Sequence, residues 1–214
     1  MALDTDWAVE WVRRTAATIR EHRAELVALD REIGDGDHGE NMDRGFQAVL
    51  AAVDDQGSFD SPGAVFKLVA TKLISTVGGA SGPLFGTAYL RAAQAVGDQD
   101  SLDAAGVAAI LVAARDGVVS RGKAEPGDKT MVDAWTAAVD AAAAASDATP
   151  EQVLELAADA AAAGAEATEP LVARKGRASY LGERAVGHRD PGAQSVALIL
   201  RAAVDAAGTT SGTA

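Results

Sequence analysis

Apolar residues recur at helical spacing in about eight successive segments of the chain, and no segment shows the alternation that is typical of a strand. The segments begin near Thr5, Met42, Pro62, Phe85, Ser101, Met131, Glu151 and Pro191. The first runs unbroken by glycine or proline as far as residue 30. Alanine is abundant and aromatic residues make up only 4% of the sequence, which favours helix over sheet. We therefore predict an all-α fold of about eight helices.

Capping signals support several helix starts. The pair Ser61–Pro62 predicts an N-cap followed by a first helical residue. The stretch Thr149–Gln152 has the pattern of a capping box with proline at its first helical position. We also expect Ser101 to cap the fifth helix and Asp190 to cap the last one.

Short connections between the predicted helices favour antiparallel neighbours, so the simplest arrangement is an up-and-down bundle or closed ring. In that arrangement the first, third, fifth and seventh connections lie at the same end. They are residues 30–41, 78–83, 120–130 and 169–191, and they hold nearly every chemically unusual residue of the chain. We therefore expect one domain over residues 1–208 with its functional site at this end, followed by a disordered tail, residues 209–214.

The connection 30–41, with the sequence DREIGDGDHGEN, places three carboxylates close together. Asp30, Asp35 and Asp37 repel one another unless a cation lies between them, and hard oxygen ligands suit magnesium better than zinc or copper. An EF-hand is excluded by spacing, because Glu40 would take the place of its invariant glycine. A polar turn between helices is the alternative. We predict a magnesium site shared with phosphates.

The other odd connections carry glycine and positive charge. The connection 78–83, GGASGP, leads into a helix whose free N–H groups favour an anion, although it is not a Walker A loop. Basic residues follow in 120–130 (Arg121, Lys123, Lys129) and in 169–191 (Arg174, Lys175, Arg177). Arg177 could stabilise charge on a phosphoryl group during transfer. Singly, each connection also fits a plain turn or a solvated loop; together they favour a phosphoryl-transfer site.

Only one of the three histidines lies in the aspartate connection. His38 could donate a hydrogen bond to a phosphate or act as an acid–base group, or it could cap the following helix. His188 is expected to be structural and His22 to lie in the surface or the core. With no cysteine and no Gly-x-Ser-x-Gly sequence, zinc hydrolase and acyl-transfer functions find no support.

The bulk properties exclude further classes. A net charge of −12 argues against non-specific nucleic-acid binding. No apolar run has the roughly 18–20 residues of a membrane span, and the acidic N-terminus lacks the regions of a signal peptide. The absence of cysteine is compatible with a reducing compartment. We expect a cytoplasmic protein with neither nucleic-acid nor membrane partners.

Five motifs, in order, carry a resemblance to a known family: LDREIGDGDHGENMDRGF, VGGASGPLFGT, SRGKAEPGDKTM, ARKGRASYLGERAVGH and DPGAQSV. They resemble the L subunit (DhaL) of bacterial dihydroxyacetone kinase, and the resemblance extends from about residue 7 to about residue 205. It implies an eight-helix barrel that holds ADP at one end through two magnesium ions.

The resemblance also implies roles for single residues. Asp30, Asp35 and Asp37 would be the magnesium ligands, while Arg177 and His38 are the catalytic candidates. Nucleotide contacts are implied for His38, Asn41, Gly79, Ala80, Ser81, Gly122, Met131, Arg177, Asp190 and Gly192. The alanine-rich stretch 140–170 predicts helix and no site residue.

The implied function is that of the nucleotide-binding subunit of a phosphoenolpyruvate-dependent dihydroxyacetone kinase. In that family a phosphohistidine on an M subunit recharges bound ADP to ATP. The γ-phosphate then passes to dihydroxyacetone on a K subunit, giving dihydroxyacetone phosphate. Two alternatives stay open: an ATP-dependent dihydroxyacetone or triose kinase subunit with exchangeable ATP, and a nucleotide-state reporter that binds a transcriptional regulator. Homodimer formation is also left open.

Overall fold

The computed structural model describes residues 3–145 and 147–209. These residues form nine α-helices: α1 (Thr5–Glu21), α2 (Arg23–Ile33), α3 (His38–Gln56), α4 (Pro62–Thr76), α5 (Ser81–Val96), α6 (Ala104–Gly122), α7 (Met131–Ala144), α8 (Pro150–Glu166) and α9 (Pro191–Thr209). A 3₁₀ segment, Arg177–Ala185, lies between α8 and α9. Two strands of two residues each, β1 (Leu3–Asp4) and β2 (Ser101–Leu102), pair antiparallel. The predicted tail 209–214 lies outside the described residues except for Thr209.

Eight of the helices form a closed ring. Going round it, α1 packs against α3, each later helix packs against the next, and α9 returns to α1. The helix α2 continues α1 and packs at one end against α3 and α9. The prediction of an all-α up-and-down ring is confirmed. Within the described residues, no helix is both long and apolar enough to span a membrane.

The first predicted helix is interrupted, which raises the count from eight to nine. The break lies at His22, whose backbone N–H bonds back to the carbonyls of Thr18 and Arg20. Its ring Nδ1 lies 2.6 Å from a carboxylate oxygen of Glu25 in the first turn of α2. The expectation of an unbroken helix was therefore wrong. It arose because no glycine or proline marks the position of the break.

The capping predictions are confirmed with one exception. The Ser61 hydroxyl accepts from the N–H of Ala64, and Thr149 and Gln152 cap reciprocally. The expectation for Ser101 was wrong, because α6 begins three residues later and is capped by Asp103. Ser101 instead pairs with the N-terminal strand, which takes its backbone out of the helix.

Aromatic side chains fill the middle of the ring and hold its first and last helices together. The ring centroids of Trp7 and Trp11 are 5.2 Å apart, and Trp11 lies 5.3 Å from Phe66. Both indole N–H groups donate to carbonyls of α9, Trp7 to Ala203 at 3.0 Å and Trp11 to Ile199 at 2.8 Å. Such a bond contributes about 1 kcal/mol net. These contacts close the ring and fix the position of α9 against α1.

Candidate functional site

The four odd connections meet at one end of the ring around a cavity of about 530 Å³. Every residue that the sequence analysis assigned to the site lines this cavity: Asp30, Asp35, Asp37, His38, Asn41, Gly79, Ala80, Ser81, Gly122, Met131, Arg177, Asp190 and Gly192. The structure thus brings together residues that are separated by up to 162 positions in the sequence (192 − 30).

The three aspartates form a cluster of oxygen donors on one wall. One carboxylate oxygen from each lies within 4.8 Å of the others. Asp30 is buried at the end of α2, whereas Asp35 and Asp37 are exposed to the cavity. All the side-chain donors are hard oxygens, and their separation fits a hydrated divalent cation between them. The donor set therefore fits magnesium.

The backbone fixes the buried member of the cluster. The Asp30 Oδ2 atom accepts from the N–H groups of Asp37 and His38 at 2.9 and 3.1 Å. A Cβ at Gly34 would lie 2.1 Å from the Asp30 Oδ1 atom, so the turn requires glycine there. Burial raises the pKa of Asp30, with repulsion from Asp35 and Asp37 adding to it and the two backbone bonds opposing it.

His38 begins α3 and is almost completely buried. Its Nδ1 atom lies 3.0 Å from the Ser81 hydroxyl and its Nε2 atom 2.7 Å from the Ser195 hydroxyl. Burial lowers the pKa of His38 to about 4, although Asp37 opposes the shift. The ring is therefore neutral near pH 7, with one nitrogen donating and the other accepting. It joins the starts of α3, α5 and α9.

The start of α5 faces the cavity without a side-chain cap. Its N-cap residue is Ala80, and Ser81 is the first helical residue. Gly79 has φ 64°, which turns the chain into the helix and which other residues rarely adopt. A Cβ at Gly82 would lie 2.3 Å from the Val77 carbonyl oxygen. Unpaired N–H groups at a helix N-terminus are suited to an anion.

Arg177 reaches the aspartates from the 3₁₀ segment, which packs against α2. Its guanidinium lies 2.9 Å from a carboxylate oxygen of Asp35. Both side chains are substantially exposed, so this ion pair contributes little to stability. The pairing shows that Arg177 can reach the wall where the carboxylates lie.

The remaining wall is formed by the starts of α7 and α9. The Asp190 carboxylate caps α9 by accepting from the N–H of Ala193 at 2.7 Å. A Cβ at Gly192 would lie 3.0 Å from that carboxylate and 3.3 Å from the Met131 methyl carbon, so glycine keeps this wall flat. Burial raises the pKa of Asp190 to about 7, with Asp133 adding to the shift and Lys129 opposing it.

Comparison with protein families decides where the chain belongs. The model of the DAK2 domain matches residues 32–205. The chain belongs to the DAK2 domain family. It is 44% identical over 203 residues to the ADP-binding subunit DhaL of the PEP-dependent dihydroxyacetone kinase of Escherichia coli, a match covering 94% of this chain and 96% of that protein. The resemblance indicated by the sequence motifs is therefore confirmed.

Some other relatives of this DAK2 domain are longer proteins. The triokinase/FMN cyclase of Homo sapiens is 36% identical over 199 residues, which are 92% of this chain and 34% of that protein. The crystal structure of the dihydroxyacetone kinase of C. freundii in complex with AMP-PNP and Mg²⁺ matches with 28% identity and a TM-score of 0.70, covering 94% of this chain and 33% of that chain.

Two residues of this DAK2 domain make contacts at the site that the sequence does not indicate. Ser195 lies in α9 and bonds His38 across 157 positions of the sequence. Lys129 is one of the basic residues of the connection 120–130, yet it is only 1% exposed, and its Nζ donates to the carbonyls of Thr168, Glu169 and His188 at 2.6, 3.3 and 2.5 Å. It fastens the connection 120–130 to 169–191, which no local pattern could indicate.

Proposed function

We propose that this chain is the ADP-binding subunit of a phosphoenolpyruvate-dependent dihydroxyacetone kinase. It would hold a magnesium nucleotide, receive phosphate from a phosphohistidine M subunit and pass the γ-phosphate to dihydroxyacetone on a K subunit. The observation that carries the proposal is one cavity in which three carboxylates face an uncapped helix N-terminus and an arginine. The names of its bacterial relatives support the same function.

Each wall has a part in this proposal. Asp30, Asp35 and Asp37 would hold two magnesium ions, which when bound would neutralise charge on the phosphates. The N–H groups at the start of α5, with Gly79 and Ala80, would bind phosphate oxygens.

The nucleoside would lie against the opposite part of the cavity. Gly122, Met131, Asp190 and Gly192 line it there, and the absence of side chains at the two glycines leaves room for a flat ring. Asn41 would complete the phosphate side; its Oδ1 atom already accepts from Arg44 at 2.5 Å.

Two side chains would act on the transfer itself. Arg177 would leave Asp35 and donate to the phosphoryl group, where its charge counts most as negative charge moves toward the leaving oxygen. His38 would orient the Ser81 hydroxyl toward the phosphate through the bond at 3.0 Å, with Ser195 fixing the other ring nitrogen. Neither side chain forms a covalent bond to phosphate in this mechanism.

Retention of nucleotide tests the proposal. We expect the purified protein to keep ADP and magnesium through gel filtration, and to form dihydroxyacetone phosphate when the K and M subunits of the Escherichia coli kinase and phosphoenolpyruvate are added. Free exchange of ATP with no need for an M subunit would instead support an ATP-dependent kinase. That second candidate is favoured by the relatives L-erythrulose 1-kinase and triokinase/FMN cyclase, each matched over about a third of its length.

The proposed cellular compartment and partners follow from the substrates of the reaction. Phosphoenolpyruvate and ATP are metabolites of the cytoplasm, where we place the protein. The K and M subunits are the proposed partners, while a transcriptional regulator and a homodimer stay predictions.

A further inference from the structure

The side-chain amide of Asn41 lies in the wall of the cavity with only one of its two ends bonded. Its Oδ1 atom accepts a hydrogen bond from the Arg44 guanidinium at 2.5 Å. Among the described residues, none accepts a hydrogen bond from its Nδ2 group, although Asn41 is only 6% exposed. A buried amide N–H without an acceptor costs free energy, so this group is suited to an oxygen atom of a ligand in the cavity.

Arg44 decides which end of this amide is left for the ligand. The oxygen and the nitrogen of an asparagine amide are nearly alike in shape, and their positions follow from the hydrogen bonds that they make. A guanidinium only donates, so the amide atom that faces Arg44 must be the oxygen. The Nδ2 group is therefore the free end, and it offers two N–H donors.

A second bond holds Arg44 in place. Its Nε atom donates to the Thr76 carbonyl, at the end of α4, at 3.3 Å. The guanidinium thus joins α3 to the chain that leads into the connection 78–83. A Cβ at Gly78 would lie 3.1 Å from the Asn41 Oδ1 atom and 3.5 Å from an Arg44 nitrogen, so glycine lets the backbone pass close to the bonded pair. Two acceptors in fixed directions suit the planar fork of arginine.

We propose that Arg44 is a positioning residue of the nucleotide site, which fixes the Asn41 amide so that its NH₂ group donates to a phosphate oxygen. This role rests on the proposed function, in which the phosphates lie at the aspartates and the start of α5. With the amide reversed, its oxygen would face the negative charge of the phosphate. Arg44 is exposed outside the cavity lining, so it acts on the nucleotide through Asn41.

A double-mutant cycle on ADP affinity tests this route. We expect Arg44→Met, which removes every donor but keeps an unbranched side chain, to raise the Kd for ADP in the presence of Mg²⁺ about fivefold to tenfold. In an Asn41→Ala background the same substitution should change the Kd by less than about twofold, because the amide that Arg44 positions is gone. Arg44→Lys, which keeps a group that only donates, should recover most of the affinity.

The chain offers a matched control for the loss of an exposed arginine. Arg91 also donates to a side-chain amide oxygen three positions away, that of Gln94, at 3.0 Å. It lies in the second half of α5, and neither residue lines the cavity. Arg91→Met should therefore bind ADP like the wild type.

Asn41 is the single asparagine of the chain, so its amide can be observed directly. Selective labelling with ¹⁵N-asparagine gives one pair of side-chain amide proton signals in the NMR spectrum. When ADP and Mg²⁺ are added, we expect one of these signals to move downfield as the N–H gains a phosphate acceptor. Arg44→Met should reduce this shift, which a purely structural role of Arg44 would leave unchanged.

Three results would overturn this role while ADP is still retained. They are an unchanged affinity in Arg44→Met, an equal loss of affinity in the Asn41→Ala background, and amide signals that ADP does not move. The second result would mean that Arg44 acts through its charge or through Thr76 alone. A wild-type chain that does not bind ADP would contradict the proposed function instead.

Discussion

Replacing Lys129 by methionine removes a buried ammonium group that fastens two walls of the site together. Two of its bonds, to the carbonyls of Thr168 and His188, are short at 2.6 and 2.5 Å, and the third, to Glu169, is 3.3 Å long. Hydrogen bonds to a charged group contribute about 1.5–3 kcal/mol each. Removing the charge also removes the free-energy cost of burying it. That cost is seen in the lowered pKa of Lys129, because burial lowers this pKa although the negative charge of Asp190 raises it.

The cost of leaving buried carbonyls without a donor exceeds the gain from burying the apolar methionine side chain. We therefore expect the free energy of unfolding to fall by about 2–4 kcal/mol. For a domain of this size that corresponds to a fall in Tm of roughly 4–16 °C. Urea denaturation followed by circular dichroism measures the first quantity. Calorimetric titration with ADP and Mg²⁺ should show weaker binding, because Met131 and Gly192, which line the cavity, directly follow the two connections that the ammonium joins.

The same connection supplies a matched control. Lys123 has a left-handed backbone at φ 54°, close to the φ of 63° at Lys129, yet its side chain is exposed. Lys123→Met therefore changes the same side chain at a similar backbone conformation and should shift the unfolding free energy by less than about 0.5 kcal/mol. Equal stability and equal ADP affinity in the two variants would refute the reasoning.

Three further predictions concern the walls of the site. Asp35→Ala should abolish retention of ADP and magnesium in gel filtration while leaving the circular dichroism spectrum nearly unchanged; a variant that still retains both would remove Asp35 from the site. Arg177→Ala should bind ADP almost normally but slow phosphate transfer by about 10²–10³-fold, and unchanged turnover with the K subunit would contradict its assignment. Asp190 has a folded-state pKa of about 7 against 3.8 unfolded, so the folded state binds the proton more tightly and stability falls as pH rises between these values. Relative to Asp190→Asn, wild-type unfolding free energy should fall by at most about 1.4 kcal/mol per pH unit over that range, and a flat difference in urea titrations would count against it.

Much of the fold was predictable because its signals are local. The caps at Ser61 and Thr149 depend on residues three positions away, and the structure contains both. The ring follows from short connections, which allow little besides antiparallel neighbours. The break at His22 was missed because no glycine or proline marks it, although its hydrogen-bond partners are all local. The late start of α6 was missed because its cause is distant in the sequence. Ser101 is drawn into pairing with Asp4, nearly a hundred positions earlier in the chain.

The residues of the site also fall into those that a local pattern indicates and those that depend on distant contacts. Asp35 and Asp37 could be proposed from spacing alone, because carboxylates this close in sequence must be close in space. The contacts of Lys129 and Ser195 could not be predicted in this way, because their partners are 39 or more positions away. A lysine in a polar loop is ordinarily solvated, and a serine in an apolar helix carries no signal of its own. Their placement depends on how distant connections meet.

Closure of the ring and assembly of the site are coupled through one helix. Ile199 of α9 accepts the hydrogen bond from Trp11 that joins the last helix to the first, and Ser195 lies one turn before it on the same helix. Ser195 in turn bonds His38, and His38 bonds Ser81 at the uncapped start of α5. A loosened contact between α1 and α9 would therefore shift the hydroxyl that faces the cavity while the other helix pairs stay packed. The apolar core thus contributes to the precision of the site as well as to stability, since it fixes the position of α9 from the far side of the ring.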